Sequence, residues 1–305
     1  MTLPNQYDRF LEMSAPTITT IAPDRCDIGE SPVWDERTGL LWWVDITPGT
    51  IHCIDPATGA RQRWEFGEPV GSLGLCRSGR LVVALRSTVI LFDPRDGSRQ
   101  LLASVTHRKP EMRLNDGKVG PDGAFWVGSM DASGAADPAG TLYRVAPDGG
   151  VRVITENFRI SNGLAWDGAG TRMYHSDSRG IWVDIYDFDP ATGAATNRRR
   201  WLELDELTGR PDGGACDIDG NYWSGGASAG RLNCFSPDGQ LLRWVDLPNF
   251  RPTMPCFGGA DLGTLYVPSL SAGVSEEDLA KWPLCGAMVS VPSDTRGVPV
   301  GRFAD

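Results

Sequence analysis

Short apolar runs, each entered through a polar turn, recur along the whole chain. "LLWWVD", "RLVVAL", "AFWVGSM", "RMYHSD", "NYWSGG" and "TLYVPS" each follow a turn such as "WDERTG", "CRSG", "GPDG", "WDGAGT", "DIDG" or "ADLG". No segment keeps a 3.6-residue apolar period, so helices are not predicted. Aromatic and β-branched runs bounded by Gly, Pro and Asp read as strands. A second class of turn alternates with the first: "CIDPATGA", "LFDPRDGS", "RVAPDGGV", "DFDPATGA", "CFSPDGQL" and, more weakly, "SVPSDTRG". Its prolines are Pro56, Pro94, Pro147, Pro190, Pro237 and Pro292. Their mean spacing of about 47 residues suits a four-stranded propeller blade. Two turns per repeat imply four strands per repeat, and six repeats imply an all-β, six-bladed β-propeller.

The domain is expected to span residues 17–305, after an N-terminal extension of residues 1–16. A spare strand, "TITTIAP" (residues 17–23), is placed to complete the last blade. Such closure removes exposed sheet edges. A two-layer sandwich would not predict so regular a recurrence.

The segments that open the repeats are "GESPVW", "VGSLGL", "RLNDGK", "ISNGLA", "RPDGGA" and "PCFGGA". Their matching positions are Glu30, Ser72, Asn115, Asn162, Asp212 and Phe257, spaced by 42, 43, 47, 50 and 45 residues. The first strand of a propeller blade lines the central channel, so these positions converge there. "SNG" at Ser161 to Gly163 would ordinarily be a hairpin turn. Another turn follows at once, however, so Asn162 is read as an inward-pointing group at the mouth of an inner strand. Buried together without partners, such groups are costly. A hard cation would satisfy Glu30, Asp212 and Asn162 as an all-oxygen set. Three protein ligands would leave positions for water and substrate.

Taken together, "GESPVW", "RLNDGKVGPDGAFWVGSM", "ISNGLAWD", "YHSDS", "PDGGACDIDGNYW" and "PCFGGADLGTLYV" resemble the senescence marker protein/gluconolactonase family of six-bladed propeller sugar lactonases, in particular the bacterial aldonolactonases of pentose and hexose breakdown. The resemblance implies Glu30, Asn162 and Asp212 as metal ligands and Asp212 as general base. It implies Arg113 and Asn115 as substrate contacts. The family's acidic residue three positions after the methionine of "GSMDAS" is Ser133 here, and Asp131 is the neighbouring candidate for substrate binding. One divalent cation is expected: Ca²⁺, Mg²⁺, Mn²⁺, Zn²⁺ or Fe²⁺. The expected reaction opens an aldono-1,4- or 1,5-lactone to its acid. The alternatives are a hydrolase of other esters and a non-catalytic binding propeller.

Composition narrows the partners. The net charge of −10 and the lack of basic runs beyond Arg198–Arg200 argue against nucleic acid. No apolar run reaches membrane-spanning length, and no secretory signal is read at the N-terminus. The seven scattered cysteines contain no CxxC pair and read as buried, reduced thiols of a cytoplasmic protein. "GASAG" matches G-x-S-x-G, but a strand rather than a helix is predicted after Ser228, against a nucleophile elbow. Trp126, Tyr174 and Trp223 read as core or as a sugar-stacking surface. His175 reads as structural, and Asp177 as a weaker site candidate.

Overall fold

The computed structural model describes residues 16–135 and 137–305. Six four-stranded antiparallel sheets make up six propeller blades. Five are built from consecutive strands, over residues 29–65, 72–104, 112–158, 161–203 and 211–246. The sixth combines Cys256–Gly258, Thr264–Val267 and Met288–Pro292 with Thr19–Ala22 from the other end of the chain. The spare N-terminal strand therefore closes the ring, as expected. Residues 1–15 of the expected extension lie outside the described residues. The one α-helix among the described residues, the short Glu276–Lys281, is capped by Ser275.

The two inner strands of each blade are apolar because neighbouring blades cover both faces. Leu40–Asp45, Leu81–Ala84 and Phe125–Asp131 are buried along almost their whole lengths. The outermost strands face water on one side and along their free edge, and Arg61–Glu65 is largely exposed. Between blades the large rings meet edge to face, as Trp126 does with Trp166 and Phe188. Trp126, Tyr174 and Trp223 are all fully buried core, not a surface for a sugar. No disulfide joins the seven cysteines, and all are buried. Among the described residues, no helix is long and apolar enough to cross a membrane.

The C-terminal segment crosses one mouth of the channel. Val298 N–H donates to Cys216 O, Phe303 N–H to Leu75 O and Ala304 N–H to Gly123 O. Phe303 is fully buried among residues of the second and third blades. This tail roofs a cavity of about 280 Å³ lined by Lys118, Pro255 and residues 298–301. The opposite mouth, at the start of the inner strands, holds the site described below.

Closure yields the first prediction. Removing residues 1–22 leaves Met288–Pro292 as an open edge against which Thr19–Ala22 now pairs. The truncated protein is expected to unfold at lower temperature and to self-associate through that edge, read by thermal denaturation and light scattering. Unchanged behaviour in both would contradict a stabilising role for the closure.

Candidate functional site

The inner strands bring Arg113, Asn115, Asn162, Asp212 and Glu30 into one hydrogen-bonded arc across four blades. Arg113 Nη1 donates to Asn115 Oδ1 (2.6 Å) and to Leu114 O (3.0 Å). Asn115 Nδ2 donates to Asn162 Oδ1 (3.0 Å) and to Ser161 O (3.0 Å). Asn162 Nδ2 in turn donates to Asp212 Oδ1 (2.7 Å) and to Ser178 Oγ (2.7 Å). Glu30 lies beside Asp212, close enough for each carboxyl to act on the other's charge, and Glu30 Oε2 accepts from Ser31 N–H (2.6 Å). Glu30, Asn115 and Asn162 are buried, whereas Asp212 and Arg113 keep partial exposure toward the open mouth.

A repeated backbone device aims these side chains. The first hairpin carries a bulge between Glu30 and Val33, Leu114 and Gly117, Asn162 and Ala165, and Pro211 and Gly214. Those are the four blades that contribute oxygen-bearing residues to the arc. The hairpins of the second and sixth blades pair without a shift. An extra residue in one strand bends it and re-aims its side chains. Gly163 adopts the left-handed φ of +70° that the fourth blade's bulge needs. Asn162–Gly163 thus uses the conformational freedom of a turn pair inside a strand. A Cβ at Gly163 would lie 2.4 Å from Ser176 Oγ and 2.6 Å from Tyr222 Oη. Gly163→Ala is therefore expected to cost about 1–3 kcal/mol and to displace Asn162, lowering activity beyond its effect on folding. Denaturant unfolding beside initial rates would check this; a stability loss with no loss of rate would count against the bulge as the aiming device.

Electrostatics at the centre are unfavourable for the protein alone. Burial, then the charges of Asp212 and Asp116, hold the Glu30 carboxyl well above the usual carboxylate range. Burial and Asp116 push Asp212 up to about 8, opposed by Arg210, the neighbouring Glu30 carboxyl and Arg113. Two carboxyls can share a buried site either by retaining protons or by gaining a nearby cation. Burial lowers Arg113 to about 10, so it stays charged at neutral pH.

Sequence reasoning missed Asp116. Its Oδ2 accepts from Leu164 N–H (3.1 Å), and its buried Oδ1 has no hydrogen-bond partner. It braces the bulge that presents Asn162, while Lys118 beside it donates to Gly214 O (2.6 Å). Adjacency to Asn115 in "RLND" was the only available signal. Four other residues singled out in the sequence stand apart from the arc. Phe257 turns into the core and meets Trp223 edge-on, because it pairs with Leu265 nearer the turn than the channel level requires. Ser72 is fully buried, and its hydroxyl has no partner. Asp131 accepts from Lys109 Nζ (3.2 Å) and from Ser133 N–H (2.9 Å), and no hydrogen bond ties it to the arc. Asp177 accepts from the N–H groups of Arg159, Ile160, Arg179 and Gly180, which makes it a loop brace.

Two further candidates are structural. His175 is fully buried, bonded to Ser161 Oγ (2.7 Å), and pushed down to about 3 by burial. Ser228 Oγ accepts from Arg210 N–H (2.9 Å). The chain beyond it continues into the strand Arg231–Phe235, so there is no nucleophile elbow.

This arrangement can be set beside known proteins. Residues 28–271 match the SMP-30/Gluconolactonase/LRE-like region. The chain belongs to this family. It is 37% identical to the 6-deoxy-6-sulfogluconolactonase of Pseudomonas putida over 282 residues, covering 91% of this chain and 95% of that one. Identity to regucalcin of Xenopus laevis is 35% over 300 residues, covering 96% of this chain and all of that one. In fold, it superposes on a regucalcin crystal structure from Agrobacterium tumefaciens with a TM-score of 0.90 at 23% identity, covering 95% and 99% of the two chains. Membership accounts for the repeat phase of the inner strands, since the motifs that open the first, third, fourth and fifth repeats all lie inside the matched region.

Proposed function

We propose that the protein hydrolyses a sugar lactone with the help of one divalent cation held by Glu30, Asn162 and Asp212. The observation that carries this reading is the pairing of buried Glu30 with partly exposed Asp212 at the open end of the channel, both carboxyls raised and, among the described residues, no cationic side chain hydrogen-bonded to either. Family membership and the lactonase relative support the substrate class.

The donor set fits a hard cation, being two carboxylates and an amide oxygen. The Asn162 amide must then turn its oxygen inward, where Nδ2 now donates to Asp212. A bound cation would supply positive charge that ionises both carboxyls and polarises the lactone carbonyl. Asp212, then ionised and facing the mouth, takes the proton from the attacking water. The bulge between Pro211 and Gly214, which aims Asp212 from its strand, fixes the direction of that transfer. Asn115 and Arg113 form the wall beside it. Arg113 has one guanidinium nitrogen pinned by Asn115 and Leu114, which leaves the remaining donors for substrate oxygens. The C-terminal tail crosses the far mouth, so substrate and product are expected to share the mouth that Asp212 faces.

The test is acid release from a panel of pentono- and hexonolactones, with spontaneous hydrolysis subtracted. Metal-stripped protein resupplied with single cations (Ca²⁺, Mg²⁺, Mn²⁺, Zn²⁺ and Fe²⁺) is expected to turn over at least one of them. Folded protein that binds a cation but opens none of these lactones would overturn the reading. A cytoplasmic setting is part of the proposal, supported by the seven unpaired thiols.

A further inference from the structure

Arg113 has a neighbour that the lactonase reading leaves without work. Arg86 sits in the tight turn between Leu81–Ala84 and Thr88–Phe92, closed by Leu85 N–H to Thr88 O (2.8 Å). Its carbonyl is bonded twice, by Leu114 N–H (2.8 Å) and by the His107 ring nitrogen Nε2 (2.8 Å). The first bond ties the turn to the residue next to Arg113, so the backbone of Arg86 is fixed at the edge of the site. The exposed guanidinium of Arg86 has no ion pair or hydrogen bond among the described residues. Glu68 Oε2 accepts from the backbone N–H of Arg86 (3.3 Å), not from its side chain. Lys109 and Arg108, cations in the same sector, are already committed, Lys109 to Asp131 and Asp137 and Arg108 to Glu156.

Arg86 and Arg113 thus bring two like charges to one side of the mouth. They are close enough that Arg86 adds to the burial that pushes Arg113 down to about 10. In the protein alone Glu30 and Asp212 partly offset Arg113. Once a cation occupies those carboxylates, their charge is spent inward, and among the described residues no carboxylate is hydrogen-bonded to either guanidinium. Neighbouring guanidiniums are the usual cradle for a planar or tetrahedral oxyanion, which takes paired charge-assisted hydrogen bonds. The chain as a whole carries a net charge of −10. A local cationic rim on an acidic surface is what draws an anion to one place and not to the rest of the molecule.

We infer that the preferred lactone carries a second, anionic substituent (sulfonate, phosphate or carboxylate) remote from its ring carbonyl, held at the mouth between Arg86 and Arg113. The inference rests on the lactonase reading and narrows its substrate class. With the carbonyl turned toward Asp212, the far end of a sugar acid points outward to this rim.

The experiment compares kcat/KM for a neutral hexonolactone with that for hexonolactones of the same ring bearing a terminal phosphate, sulfonate or carboxylate. It is run on the cation-loaded wild type and on the Arg86→Ala, Arg86→Glu and Arg86→Lys variants. The wild type should favour at least one anionic lactone by about tenfold or more, on the scale of one charge-assisted hydrogen bond. That ratio should fall about tenfold in Arg86→Ala, fall further in Arg86→Glu, recover in part in Arg86→Lys, and shrink as salt is raised. Turnover of the neutral lactone with no anionic preference, or a preference unmoved by Arg86→Glu, overturns the inference and leaves the lactonase reading standing. No turnover of either class overturns both.

Discussion

Asp212→Asn is expected to fold, to keep the shape of the arc, and to lose lactone hydrolysis almost entirely. Two losses combine in one substitution. An amide cannot take the proton from water, and general-base help contributes roughly 10²–10⁴-fold in rate. The change also removes one of only two carboxylates in the arc, so cation affinity falls. A drop in kcat/KM of at least about 10³-fold is expected on these grounds. The fold should survive because Asp212 sits on the strand Pro211–Cys216, whose core contacts come from Ala215 and Cys216. In the metal-free state Asp212 is a destabilised group, raised to about 8 by burial and Asp116. The neutral amide removes that burden, so metal-free Asp212→Asn should be no less stable than the wild type. A variant that keeps more than a tenth of wild-type activity would refute the assignment of the base. The companion Asn162→Ala should lower cation affinity as well, and it leaves Asp212 without its 2.7 Å donor.

Cation binding itself should be the largest stabilising event in this protein. A ligand that binds only the folded state adds about 2.7 kcal/mol at a hundred times its dissociation constant. The paired variant Glu30→Gln/Asp212→Asn should show none of this gain. The sign of the pH dependence follows from Asp212. Its folded value of about 8 lies above the ordinary aspartate value of 3.8, so the metal-free folded state binds the extra proton. The stability this confers is complete below about 4 and is lost as pH rises through about 8. The cation competes with that proton, so its affinity should climb with pH over the same window and level off above it. Thermal denaturation with and without cation across this range measures both trends. Stability of the metal-free protein that rises between those limits, or a cation shift that falls, would contradict the electrostatic account of the pair.

Much of this was legible in the sequence because it rests on repetition. The proline and glycine turns mark hairpins by local chemistry, and their regular spacing fixes the number of blades without any long-range information. The candidate residues Glu30, Asn115, Asn162 and Asp212 were legible for the same reason, as one position sampled once per repeat. What repetition cannot show is a change of register. Phe257 was matched by its place in "PCFGGA", but it lies one residue from the end of the strand Cys256–Gly258, whereas Asn162 lies four from the end of Ser161–Trp166, so the motif sits closer to the turn in the sixth blade. Ser72 lies in a hairpin that pairs without a bulge, and its hydroxyl ends up buried and unpartnered instead of joining the arc.

Aspartates were the harder class. Asp131 and Asp177 carry the same chemical group as Asp212, yet they bind loop N–H groups in the manner of turn aspartates. Their role is set by which backbone amides point at them, and only coordinates contain that. Asp116 is the converse, a buried carboxylate beside the arc whose neighbour Asn115 drew all the attention. Its Oδ1 has no partner and its Oδ2 braces the fourth blade, so its meaning lies in contacts 48 residues away.

The central claim is that one cation, held by Glu30, Asn162 and Asp212, makes the site competent. Its most direct test is the initial rate of lactone opening as a single divalent cation is titrated into metal-stripped protein. The account predicts negligible enzymatic rate at the start, a rise that saturates at one cation per chain, and no rise in Glu30→Gln/Asp212→Asn. Full activity in the metal-stripped protein, or a rate that climbs equally in that double variant, would contradict it.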